Sequence, residues 1–160
     1  MPLLQTKLYI PPLRPQLVAW PRLINRLNQG LAQGNKLTLI SAPAGFGKST
    51  LLTEWIHNIT ASPLDSPSLR DHEQVSAWLS LDEGDNDYIR FLSYLIAALQ
   101  TIWDAVGQDI IVALRSVETP PIESLLVELL NELTSISTPF MLILDDYQVI
   151  ENDTIDQALI

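Results

Sequence analysis

Apolar positions fall into two kinds of run along the chain. Over 22–31, and again over 48–59 where Leu51, Leu52, Trp55, Ile56 and Ile59 recur three and four residues apart, the period is that of a helix with one buried face. The same period is strongest over 89–103, with Ile89, Leu92, Leu95, Ile96, Leu99, Ile102 and Trp103 on one broad face, and Asn86 or Asp87 is its natural cap. It returns over 122–133 with Ile122, Leu125, Leu126, Leu129, Leu130 and Leu133, after Pro120 and Pro121, which suit a helix start. The second kind of run is short and continuous. Residues 36–42 (KLTLISA), 75–81 (VSAWLSL) and 140–144 (FMLIL) read as strands covered on both faces.

Between these runs the punctuation is plain. Pro2, Pro11, Pro12, Pro15 and Pro21 predict an extended arm before the first helix, and 61–73 (ASPLDSPSLRDHE) predicts a surface connection. Strands alternating with helices argue for a three-layer α/β unit built on a parallel sheet. The expected division is an arm and helix over 1–34 and an α/β body over 35–160.

Composition narrows the possibilities. With 47% apolar and 18% charged residues, the 160-residue chain can bury a core, which excludes intrinsic disorder. No cysteine and only two histidines, His57 and His72, exclude disulfides, thiolate sites and a zinc signature. The net charge of −10 argues against direct DNA binding. No stretch approaches the length of a membrane span, and no basic start precedes an apolar run, so the expectation is a cytoplasmic protein with no membrane partner. The charge is unevenly placed: residues 1–53 carry six bases and no acid, and all nineteen acids follow. That asymmetry fits a localised anion site or a docking surface, and equally two solvated faces of opposite sign.

The sharpest chemical feature is Ala42-Pro43-Ala44-Gly45-Phe46-Gly47-Lys48-Ser49-Thr50, between a predicted strand and a predicted helix. It fits the phosphate-binding pattern G-x-x-x-x-G-K-[ST], with Ala42 in place of the first glycine. Gly45 and Gly47 let successive N–H groups turn toward one concavity, and the helix that follows adds the positive end of its dipole. In that role Lys48 reaches phosphate oxygens, Ser49 ligates Mg²⁺ and Thr50 supports the α-phosphate. The second feature is the strand ending in Asp145 and Asp146. Such an end is usually just solvated, but beside a phosphate loop Asp145 becomes the candidate for Mg²⁺ and Asp146 for polarising the attacking water. The Asp82–Asp87 cluster lacks calcium-loop spacing and reads as capping. The two histidines read as surface residues, and Trp20, Trp55, Trp78 and Trp103 as packing residues.

Taken together, Thr6-Lys7-Leu8, Trp20-Pro21-Arg22-Leu23, the stretch LTLISAPAGFGKSTLL, Ala77-Trp78-Leu79-Ser80-Leu81-Asp82-Glu83, Asp85-Asn86-Asp87, Arg90-Phe91 and Leu142-Ile143-Leu144-Asp145-Asp146-Tyr147 form a familiar set. From residue 6 to about residue 150 the chain resembles the N-terminal ATPase domain of MalT-like, LuxR-family transcriptional regulators, the STAND class of P-loop ATPases. The resemblance implies a Walker A loop at 42–50, a Walker B strand at 141–146, ATP and Mg²⁺ as cofactors, and a nucleotide switch that controls self-association. Gln148 and Tyr88 depart from the residues common at their positions, His and Pro.

The resemblance also implies a sheet in which another strand separates the Walker A and Walker B strands, and this chain offers no candidate for it. The expectation is therefore an incomplete sheet, a truncated product without sensor or DNA-binding parts, and weak or absent turnover. The strand at 36–42 would then lack a neighbour on each side. The alternative is a non-catalytic interaction module that docks on a full-length regulator through exposed edges. A small phosphotransferase would need an arginine-bearing lid that Arg70, Arg90 and Arg115 do not form in any recognisable motif. Nothing in the motifs selects ATP over GTP.

Overall fold

A computed structural model describes residues 3–13, 18–61 and 75–159. The chain divides into two compact units, Met1–Tyr9 with His72–Ile160, and Ile10–Asp71. The connection expected over 61–73 falls almost wholly outside the described residues, as does His72.

The first unit is mixed α/β. Strands β1 (Val75–Ser80) and β2 (Phe140–Asp145) pair in parallel, with Val75 opposite Phe140 and Ser80 opposite Asp145. Ala77, Trp78 and Leu79 are consecutive and fully buried, as a strand covered on both faces requires. Helices α3 (Tyr88–Leu99), α4 (Gln108–Leu114), α5 (Ile122–Thr134) and α6 (Asp153–Leu159) belong to the same unit. Phe91, Leu92, Leu95, Ile96 and Leu99 of α3 meet Ile110 of α4, Leu125 and Leu129 of α5 and Ile155 of α6 in one apolar cluster. The expected third helix ends four residues early, because Gln100 closes it with N–H bonds to Ile96 and Ala98. Trp103, left outside, packs edge-on against Phe140 with ring centroids 5.0 Å apart.

One charged cluster ties this unit together. Asp85 is fully buried, and its carboxylate accepts from the Lys7 ammonium, from Arg90 Nε (3.0 Å) and from the Asp82 N–H (2.8 Å). Asp82 accepts in turn from Lys7 (3.0 Å) and from Arg90 Nη2 (3.0 and 3.1 Å). The Lys7 ammonium also lies 4.4 Å from the centre of the Tyr94 ring, whose hydroxyl accepts the Leu4 N–H (3.1 Å). The 3-10 turn Gln5–Leu8 is thereby bound to β1 and α3. The acidic cluster does cap, as expected: Asp82 caps the 3-10 turn Glu83–Asn86, and Asp87 caps α3 through the Arg90 N–H (2.8 Å).

The second unit holds α1 (Pro21–Ala32) and α2 (Lys48–Ala61). Ile24 and Leu27 of α1 and Leu51, Trp55 and Ile56 of α2 are buried, and Trp55 Nε1 donates to Asn28 Oδ1 (2.8 Å). The strand expected over 36–42 is absent: that stretch pairs with no strand among the described residues, and Leu37 and Leu39 are 83% and 84% exposed. The reason is partnership, since an apolar β-branched run forms a strand only where another strand supplies its ladder. Among the described residues the sheet consists of β1 and β2 alone, so a mixed fold with a small parallel sheet stands in place of a full three-layer body. No helix of the described residues is long and apolar enough to cross a membrane.

The charged cluster makes two predictions. Asp85→Ala removes the buried acceptor that the Lys7 ammonium and the Arg90 guanidinium share and leaves them only the half-exposed Asp82, which should cost about 3 kcal/mol and lower the urea midpoint at unchanged slope. The hydrogen bond from Lys7, helped against partial burial by the Gly84 N–H and by the charges of Lys7 and Arg90, holds the Asp82 carboxyl below its ordinary 3.8. A lowered carboxylate contributes stability that is present above the unfolded value and lost as pH falls through the folded one. Stability should therefore decline below about pH 3.8, and this part of the decline should shrink in Lys7→Met, as followed by acid titration of the urea midpoint.

Candidate functional site

The loop at 42–50 is built by local backbone chemistry. Pro43, Ala44, Gly45 and Phe46 form a turn closed by the Phe46 N–H to the Pro43 carbonyl (3.3 Å), and Gly45 at its third position has φ 81°, a value that suits glycine there. Gly47 also has φ 80°, and its carbonyl accepts the Leu51 N–H (2.9 Å), which joins the loop to the first turn of α2. Left-handed glycines followed at once by a helix start are the conformation in which backbone N–H groups converge on an anion. Lys48 Nζ donates to the Ala42 carbonyl (3.0 Å), so the ammonium turns back on the first residue of the loop. Ser49 lies in the first turn of α2, where its carbonyl accepts from the buried Thr53 hydroxyl (2.8 Å). Phe46, at the loop's tip, is 69% exposed.

One contact has no signal in the motif. Trp20, the residue before α1, directs the far edge of its indole at Gly47: a Cβ added to Gly47 would lie 2.4 Å from Trp20 Cη2. Gly47 is thus required twice, by its φ and by the ring against it.

The acidic pair belongs to the other unit. Asp145 closes β2, is 7% exposed, and its carbonyl accepts the Leu81 N–H (3.0 Å). Asp146 is exposed and left-handed, with φ 59° and ψ 31°, alone among described non-glycine residues in having a positive φ. Aspartate adopts this region more readily than most residues, yet at a cost that the surroundings must support. Several hydrogen bonds supply that support. Val149 donates its N–H to the Asp146 carbonyl (3.1 Å), and Gln148 Nε2 donates to Asp146 Oδ1 (2.8 Å). The Asn86 side chain donates to the Val149 carbonyl (2.9 Å) and accepts from the Glu151 N–H (2.6 Å). Tyr147 donates to Asp156 (2.5 Å); burial first, and then this bond, raises its hydroxyl pKa well above the ordinary 10.

Ala42, Pro43, Ala44, Gly45, Phe46, Gly47, Lys48, Ser49 and Thr50 therefore stand together at the head of α2, and Asp145 stands with Asp146 at the end of β2. Arg90 is committed to Asp82 and Asp85, which removes it as a mobile arginine. His57 is half-buried, with Nδ1 2.8 Å from the Thr53 carbonyl. Sequence reasoning missed Asn86 as a bridge to Val149 and Glu151, because it bonds to segments far along the chain.

No family model matches the chain. The chain is 34% identical over 157 residues to the HTH-type transcriptional regulator MalT of Cronobacter sakazakii, 35% over 160 residues to that of Klebsiella pneumoniae and 33% over 157 residues to that of Yersinia pestis. Each match covers 98% of this chain and 16% of the relative.

The two loop glycines should differ in their tolerance of alanine. Gly45 has open space where a Cβ would go, so Gly45→Ala carries only the left-handed penalty of about 1–2 kcal/mol. Gly47→Ala adds the collision with Trp20 and should lower the thermal midpoint further, a difference that disappears in a Trp20→Ala background.

Proposed function

We propose that this chain, homologous along nearly its whole length to MalT-type transcriptional regulators, is the nucleotide-responsive part of such a regulator and binds ATP with Mg²⁺. The observation that carries this reading is the loop at 42–50, in which left-handed Gly45 and Gly47 lead directly into α2 with Lys48 at its start. The residues present fit a triphosphate: a glycine turn with open space beside Gly45, a helix N-terminus, one ammonium and a neighbouring hydroxyl. Lys48 would exchange the Ala42 carbonyl for phosphate oxygens, Ser49 would offer its hydroxyl to the metal, and the backbone of 44–50 would orient the phosphates. Mg²⁺, when bound, neutralises phosphate charge. Asp145 and Asp146 are the residues this reading assigns to the metal and to the attacking water, and the P-loop class of the fold is part of the same proposal. The role proposed for the loop is that of a nucleotide switch.

A second reading, a docking module that engages a full-length regulator, is favoured by Leu37 and Leu39, whose apolar side chains stand in solvent on a stretch without strand partners among the described residues. Calorimetric titration separates the two. The switch reading expects Mg·ATP binding that weakens at least tenfold in Lys48→Ala, with a nucleotide-dependent change in size-exclusion volume. The docking reading expects no heat with ATP or GTP and an association that Leu37→Asp/Leu39→Asp abolishes.

A further inference from the structure

We propose that Trp20 is a positioning residue for the phosphate loop, its indole holding the segment from Gly45 to Lys48 in the anion-receiving conformation. This rests on the nucleotide-binding reading of that loop.

The argument begins with what restrains the loop. Two glycines within three residues give this segment a large conformational entropy to lose, and the preceding stretch, 36–42, is held in no sheet among the described residues. On the far side the loop is fixed by the first turn of α2, through the Gly47 carbonyl and the Leu51 N–H. On the near side the bonds from Phe46 to Pro43 and from Lys48 to Ala42 are internal to the loop, and the indole of Trp20 adds a contact from outside it at Gly47 itself. The position of a Cβ at Gly47 lies 2.4, 3.2 and 3.5 Å from Trp20 Cη2, Cζ3 and Cζ2, so the distal edge of the ring is seated where only glycine leaves space.

The prop is itself anchored. The Trp20 carbonyl accepts the N–H groups of Leu23 (3.0 Å) and Ile24 (3.1 Å), and Pro21 fixes the next φ at the first position of α1. Further along, α1 is fastened to α2 by the bond from Trp55 to Asn28. The two helices and the loop between Gly45 and Lys48 thus form a closed mechanical circuit, with one tryptophan at the loop end and another along the helices. By linkage, whatever binds the loop in this conformation also favours the seated indole, and removing the indole makes the ligand bear the ordering of the loop. Such a prop acts on phosphate recognition as a whole, whereas a residue that stacks on the base acts only on a nucleoside.

The test uses the full chain with Trp20→Ala and Trp20→Phe, and two probes, Mg·ATP and inorganic tripolyphosphate with Mg²⁺. Both probes should bind at least tenfold more weakly to Trp20→Ala, by matching factors, with Trp20→Phe intermediate because its shorter ring still fills the site in part. In the protein without added ligand, the amides of Phe46 and Leu51 should exchange hydrogen at least tenfold faster in Trp20→Ala, while those of α2 beyond Trp55 keep their rates. Loss of ATP affinity with tripolyphosphate affinity intact would overturn the proposal in favour of a base contact, and unchanged exchange at Phe46 and Leu51 would overturn it outright. Should the wild-type chain bind neither probe, the nucleotide reading falls, and the exchange rates alone decide whether Trp20 holds the loop.

Discussion

The carboxylate of Asp85 has no solvent and three donors, and the first unit is arranged so that all three can reach it. A buried charge is tolerated only when paired and hydrogen-bonded, so the arm that carries Lys7, the turn that follows β1 and the first turn of α3 must meet at one point. Burial in the apolar cluster supplies a non-directional attraction. Hydrogen bonds to a buried carboxylate add direction to it. Asp82 closes the circuit through both Lys7 and Arg90, and Tyr94 places an aromatic face under the ammonium.

From this point the order propagates by one residue to Asn86, and from there across the fold. Asn86 spends its amide on Val149 and Glu151, just beyond the acidic end of β2, and its own carbonyl accepts from Asn152 (2.7 Å). That chain of bonds is what lets Asp146 occupy a left-handed conformation that few side chains favour. The turn after the acidic end of β2 is therefore held from outside its own strand, by Asn86, the neighbour of Asp85 in sequence.

The loop in the other unit obeys a different economy. Its shape comes from two glycines with positive φ, a turn hydrogen bond and the start of α2, all within a few residues, and a single aromatic edge steadies it. Where Asp85 is over-determined by charge, the loop is lightly restrained, which is compatible with the anion binding proposed for it.

Local pattern was enough to place α2, α3 and α5, both paired strands and the glycine loop, because helix period, strand composition and the glycine-lysine spacing are written within a dozen residues. The caps at Asp82 and Asp87 belong to the same class. The short α4 and α6 escaped because seven residues carry too little period to stand out. The stretch 36–42 was misread for the opposite reason: its composition is that of a strand, but a strand exists only with a partner, and partnership is not a local property. The roles of Lys7, Asn86 and Trp20 were equally invisible, since each is defined by a group far along the chain. By itself the sequence determined where the longer helices and the paired strands lie and where the glycine turn breaks the chain, since these follow from backbone dihedrals and side-chain period. Only the tertiary structure decided which charges pair, which apolar run stays unpaired and what steadies the loop, because those depend on contacts that form only when distant segments share the same space.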